Sequence, residues 1–170
     1  MASTDQEPDA TGTLIQPGQS LPRLKLDSPD GPKHLTRSGT QSTLVVYLHP
    51  EPCQPCAGYL EELAPVAADL REWATSLVAV VPADQADQAD QEGPFPLLHD
   101  DAAARRQLGI GQDEAAVLLA DRWGEVFEAA AVGADHGFPL PSQLVESAKI
   151  LDLSCGECNV PGAEWRSSDA

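Results

Sequence analysis

Cys53-Gln54-Pro55-Cys56 is the stretch of this sequence best equipped for chemistry. Two thiols separated by two residues either cycle between dithiol and disulfide or hold a soft metal ion. A thiolate, not a thiol, attacks a disulfide, and a free cysteine with a pKa of ~8.5 is mostly protonated at neutral pH. A cysteine where a helix begins faces unpaired backbone N–H groups and the positive end of the helix dipole, which favour its anion. A second cysteine one turn later can attack the mixed disulfide formed on the first. That arrangement nominates Cys53 as nucleophile and Cys56 as resolving thiol, with zinc ligation and an inert pair as the alternatives.

The flanking sequence supplies the required elements. Leu44-Val45-Val46-Tyr47-Leu48 is a compact apolar run with β-branched and aromatic content, which predicts a buried central strand. Pro50 and Pro52 end its ladder just before the cysteines. Leu60, Leu63, Ala64, Ala67, Leu70 and Ala74 then recur at spacings of three and four, one buried helical face. Pro55 suits the first turn, while Pro65 should kink or interrupt the helix. Leu77 to Val81 predicts a second buried strand, and a right-handed βαβ crossover with parallel strands is the default for such a unit.

Further along, residues 83–91 repeat Ala-Asp-Gln three times, a solvated loop or a short acidic helix. Asp100 to Leu108 predicts a helix stopped by Gly109 and Gly111. Ala115–Ala120 and Glu125–Ala131 predict strands around an Asp121-Arg122-Trp123-Gly124 turn, hence an antiparallel hairpin. Ser142 is placed to cap a last helix carrying Leu144, Val145, Ala148 and Leu151. Leu21, Leu24 and Leu26 suggest a short edge strand before the turn cluster of residues 27–33. The polar residues 1–17 are expected to be a disordered acidic arm, residues 18–152 one domain, and residues 153–170 a tail.

This order of elements, with Cys-x-x-Cys at the first strand-to-helix junction, resembles the thioredoxin-like superfamily over roughly residues 18–152. The resemblance is most specific from Leu44 to Glu62 and in Leu118 to Val126, which is similar to the hairpin of redoxins. The leading hairpin of residues 21–33 and the long loop after the second strand resemble the redoxin branch, home to peroxiredoxins of the alkyl-hydroperoxide-reductase type and to the thioredoxin-like proteins of cytochrome maturation. The resemblance implies an α/β fold with a central mixed sheet flanked by helices and an N-terminal hairpin extension. It also implies thiol redox chemistry at Cys53 and Cys56. Two departures stand out: the cis-proline expected near Ala115 is absent, and so is the arginine that peroxiredoxins carry in that region. The peroxidatic signature is also broken, with Pro50 and Val46 at its Thr/Ser and Pro positions. Exchange with disulfides needs less from its surroundings than peroxide cleavage, so it is the leading expectation. An atypical thiol peroxidase acting through a Cys53 sulfenic acid is the alternative within enzymes.

A second pair, Cys155 and Cys158, follows the last helix. Three readings stand: an auxiliary redox dithiol that relays electrons to or from Cys53 and Cys56, a metal site of zinc-knuckle type, and two incidental thiols. The metal reading would make the chain a zinc-binding or scaffold protein. His49, four residues before the motif, can assist proton transfer at Cys53 or sit exposed at the strand end. His34, His99 and His136 show no ligand spacing and are expected on loops. Trp73 and Trp165 are expected to pack.

Charge sets the outer limits. With 27 acidic and 10 basic residues among 170, the net charge is −17, which disfavours nucleic acid and anionic membranes as partners. No run approaches the ~20 apolar residues that span a bilayer, and the N-terminal residues lack a signal-peptide pattern, so a cytoplasmic location is expected. The resulting expectation is a thiol–disulfide oxidoreductase without a bound cofactor. Its partners would be a protein or small-molecule disulfide or thiol, and a reductase that donates electrons.

Overall fold

The computed structural model describes residues 12–36, 39–89 and 92–154. At its centre is β3 (Ser42–Tyr47), the apolar run before the cysteines. Its side chains alternate between two cores. Leu44 and Val46, with Leu48 just beyond, face one; Val45 and Tyr47 face the other. A strand buried on both faces needs apolar residues at every position, which is why its sequence does not alternate.

Four strands flank it in the order β5-β4-β3-β6-β7. β4 (Thr75–Val81) pairs in parallel with β3, and β5 (Leu97–His99) in parallel with β4. β6 (Ala115–Ala120) runs antiparallel to β3, and β7 (Val126–Val132) antiparallel to β6. The expected crossover and hairpin are both present. Asp121 builds the hairpin turn by accepting from the backbone N–H groups of Trp123 and Glu125, and Gly124 supplies the positive φ of 87°. β5 has no counterpart in the sequence reading, because three residues after Pro94-Phe95-Pro96 make too short a run to show a period.

Helices cover both faces. α1 (Gln54–Leu63) and α2 (Ala67–Glu72) are the two halves of the predicted helical pattern, separated around Pro65 as its missing N–H requires. They share a core with α5 (Pro141–Leu153), through Cys56, Tyr59, Leu63, Leu70, Leu144, Ala148 and Leu151. Trp73 packs against the same core. The Ala-Asp-Gln repeat forms the short α3 (Ala83–Gln88). On the opposite face α4 (Ala102–Leu108) contributes Ala104 and Leu108, and Asp101 caps it by accepting from Ala103 and Ala104.

Several expectations change. Ser142 does not cap α5: the cap position is Leu140, whose N–H donates to the Gln143 side chain, and Pro141 fills the first turn. The leucines at 21–26 do not join the main sheet. β1 (Lys25–Leu26) pairs with β2 (Lys33–His34) as a separate antiparallel sheet, so His34 is a strand residue. His99 is one too, in β5, with its Nε2 2.9 Å from Asp87. Residues 12–17, read as the end of a disordered arm, lie against the body. Ile15 N–H donates to the Leu108 carbonyl, and a Cβ at Gly109 (φ 72°) would collide with the Thr13 carbonyl. Among the described residues no peptide bond is cis, and no helix is long and apolar enough to cross a membrane.

Candidate active site

The site forms where β3 ends. Cys53 is the cap residue of α1, in extended conformation (φ −143°, ψ 153°), and its carbonyl accepts from Ala57 N–H. No side-chain cap bond is made there, so the thiol stands where Ser or Asp would normally accept from the helix. Cys53 is half-buried, whereas Cys56, one turn in, is 3% exposed and faces the core. Burial, followed by the neighbouring Cys53, pushes the Cys56 thiol up to about 11. One sulfur is therefore reachable and the other is held back.

Each sulfur has its own histidine. His49 is 8% exposed, and its Nδ1 lies 3.2 Å from Cys56 Sγ. Its other nitrogen, Nε2, is 3.1 Å from the Gly133 carbonyl. A carbonyl only accepts, so Nε2 carries the proton and Nδ1 offers its lone pair to the Cys56 thiol. Burial, and then the neighbouring His136, lower the His49 pKa, which favours the neutral ring. His49 is thus buried and in contact with Cys56, neither exposed at the strand end nor the nearer histidine to Cys53.

The histidine at Cys53 is His136, whose Nε2 is 3.4 Å from Cys53 Sγ. It comes from the segment after β7, and its backbone adopts φ 53°, a left-handed conformation that His tolerates better than most side chains. Around it the chain is held by ring packing. Phe138 stacks on Tyr59, with centroids 4.2 Å apart, and meets His49 edge-on at 6.2 Å. The Tyr59 hydroxyl donates to the Pro139 carbonyl at 2.8 Å. The two histidine rings lie 4.6 Å apart.

His136 lies on a loop, as its sequence context predicts, but nothing in that context links it to the dithiol. It lies 83 positions from Cys53, and no local spacing connects them. The only signal available is topological. β7 runs parallel in direction to β3, because two antiparallel pairings separate them. Its C-terminal end therefore opens on the same edge as the Cys-x-x-Cys loop.

Below the site, Arg105 anchors the end of β3. This side chain is 5% exposed; its Nε donates to Asp100, its Nη1 to the Gly111 and Glu114 carbonyls, and its Nη2 to the Leu48 carbonyl at 2.7 Å. The Leu48 carbonyl immediately precedes His49, so α4 and the residues leading into β6 are tied to the start of the segment that carries His49 and Cys53. Glu51 is exposed beside the motif. Cys155, Cys158 and Trp165 lie outside the described residues.

No family model and no curated protein matches this chain. Solved structures do. Peroxidoxin BcpB of Mycobacterium tuberculosis aligns at a TM-score of 0.67 with 14% identity, over 81% of this chain and 96% of that one. Mycobacterium tuberculosis AhpC aligns at 0.69 with 14% identity, over 86% and 99%. A protein of Chlorobium tepidum assigned as thiol:disulfide interchange protein DsbE aligns at 0.62 with 19% identity, over 80% and 99%. The fold is thioredoxin-like, of the kind shared by redoxins, as the resemblance implied.

Proposed function

We propose that the chain is a thiol–disulfide oxidoreductase working through Cys53 and Cys56. The observation that carries this reading is the asymmetry of the pair: a reachable sulfur at a helix cap, and a buried one a turn away with a neutral imidazole on it. Cys53 thiolate attacks a disulfide R–S–S–R′, forming the Cys53–S–S–R bond and releasing R′S⁻. Cys56 then gives its proton to His49 Nδ1 and attacks the Cys53 sulfur. The Cys53–Cys56 disulfide forms, RS⁻ leaves, and the imidazolium proton is available to it. A thiol held near 11 is almost fully protonated at neutral pH, so the second step needs a base, and His49 is in contact. A dithiol donor, a reductase or small thiol, returns two electrons. Cys155 and Cys158 are candidates for relaying them. The cytoplasm, where such donors are abundant, is the proposed location.

A peroxidase reading draws support from the fold neighbour named as a peroxidoxin. Against it, the buried guanidinium of Arg105 is committed to Asp100 and three carbonyls and is not free to polarise a peroxide. Two experiments separate these readings, the first being peptide mapping of metal-free protein in a thiol buffer poised at about −250 mV. Reversible Cys53–Cys56 pairing is expected, and pairing with Cys155 or Cys158 would add the relay. Thiols that stay reduced even under oxidising buffer would overturn exchange. Oxidation of Cys53 by stoichiometric hydrogen peroxide at a rate well above a free thiol's would move the assignment to the peroxidase.

A further inference from the structure

His49, Cys53, Cys56 and His136 bring two sulfurs and two ring nitrogens within 4.8 Å of one another. We infer that the reduced protein binds one Zn²⁺ at this place, with His49 Nδ1, Cys53 Sγ, Cys56 Sγ and His136 Nε2 as its four ligands. This goes beyond disulfide exchange, and it differs from a tail site at Cys155 and Cys158.

Three features support it. The first is the donor set, since two thiolates and two imidazoles are among the recurrent compositions of structural zinc sites. The second is spacing. Zn–S bonds of about 2.3 Å and Zn–N bonds of about 2.05 Å at the tetrahedral angle put a sulfur and a nitrogen about 3.5 Å apart. Two of the four S···N separations, His49 to Cys56 and His136 to Cys53, are 3.2 Å and 3.4 Å, and no two of the four donors lie more than 4.8 Å apart, so modest ligand shifts would admit an ion. The third is the surrounding shell. A metal-bound histidine usually donates its other N–H to a carbonyl or carboxylate, which fixes the ring and the tautomer. His49 already makes that bond, Nε2 to the Gly133 carbonyl, leaving Nδ1 turned toward the sulfurs. The donors also come from two distant segments, so the ion would join the β3–α1 junction to the segment after β7.

Metal binding and disulfide formation compete for the same sulfurs. Binding displaces two thiol protons. Attack of a zinc-bound thiolate on a disulfide R–S–S–R passes two electrons from the cysteine pair to that disulfide: the R–S–S–R bond breaks, the Cys53–Cys56 bond forms, two protons are taken up to give two RSH, and Zn²⁺ is freed. A site of this kind is filled only while the pair is reduced.

The test is titration of the reduced, metal-free full chain with Zn²⁺ against a chromogenic chelator, together with Co²⁺ substitution to read the ligands spectroscopically. One Zn²⁺ per chain is expected, with tetrahedral cobalt bands and thiolate-to-cobalt charge transfer, and both should vanish once the pair is oxidised. His136→Asn keeps a residue that tolerates positive φ and should weaken Zn²⁺ by at least about tenfold while the fold is retained by circular dichroism. His49→Ala should weaken it comparably, and Cys155→Ser/Cys158→Ser should leave stoichiometry and spectrum unchanged. Absence of stoichiometric binding to the reduced wild type overturns the site, even if Cys53 and Cys56 still cycle. So does a spectrum indifferent to His136→Asn but lost in the tail double variant, which would place the metal on Cys155 and Cys158.

Discussion

Two segments deliver a histidine to the dithiol, and they are held in opposite ways. The segment from Leu48 to Cys53 is continuous with the central strand. Its direction is set by β3, by two prolines and by the Arg105 bond to the Leu48 carbonyl. The segment from Gly133 to Leu140 arrives from the far side of the hairpin; ring stacking and one hydroxyl bond from α1 hold its later part, and the His49 ring holds the Gly133 carbonyl at its start. The first puts a buried ring on the inner sulfur; the second puts a half-buried ring on the outer one. A histidine two residues past the central strand faces the inner sulfur, and one carried by a clamped loop faces the outer, more exposed one.

The largest effects should come from the sulfurs themselves. Cys53→Ser should abolish disulfide reduction, whereas Cys56→Ser should keep the first attack and accumulate a mixed disulfide visible by intact mass. If both variants lost the first attack equally, the division between outer and inner sulfur would fail. Next comes His49→Ala. Release from the mixed disulfide should slow by about 10²-fold, the lower end of general-base contributions. The same variant leaves the Gly133 carbonyl and Cys56 without their partner, a cost of about 1–3 kcal/mol by denaturant melts. His136→Asn should instead alter the first step and leave release untouched. Equal release rates in the two variants would break the pairing of one histidine with each sulfur.

Smaller effects probe the clamp. Tyr59→Phe keeps the stacked ring but removes the bond to Pro139, so stability should fall by about 1 kcal/mol. Amide exchange should rise between 133 and 140 and stay unchanged between 48 and 53. Equal exchange in both would mean that the segments are not independently held. The smallest effect is in pH. The His49 pKa is lowered by folding, so the unfolded chain takes up the proton first. Its contribution to stability is full above the unfolded value of about 6.5 and is lost as pH falls through the lower folded value. Melts of wild type and His49→Ala should converge as pH is lowered through that window; a constant gap would discard the buried neutral ring.

Much of the molecule can be read from local pattern. Leu44–Leu48 and Leu77–Val81 are apolar at every position because both faces of the sheet are covered, and that shows in composition alone. Asp121 to Gly124 carries its turn chemistry in four residues, and Pro65 divides the helix where a missing N–H must. Other elements escaped because their cause is not local. β5 is only as long as its pairing with β4, and Ser142 looks like a cap only until the Gln143 side chain is seen reaching back to Leu140.

The site divides along the same line. Cys53 at a helix start and Cys56 one turn inside follow from the order strand, proline, Cys-x-x-Cys, amphipathic helix, which backbone geometry imposes within twenty residues. Local sequence also brings His49 near, since it follows the same strand by two residues. Which sulfur His49 faces, which of its nitrogens faces it, and that His136 lies at the site at all follow only from the tertiary structure. Those facts depend on β6 inserting between β3 and β7, so that a loop 83 positions away opens beside Cys53. Local chemistry can place a residue on a strand or a helix; only the pairing of strands decides which loops share an edge.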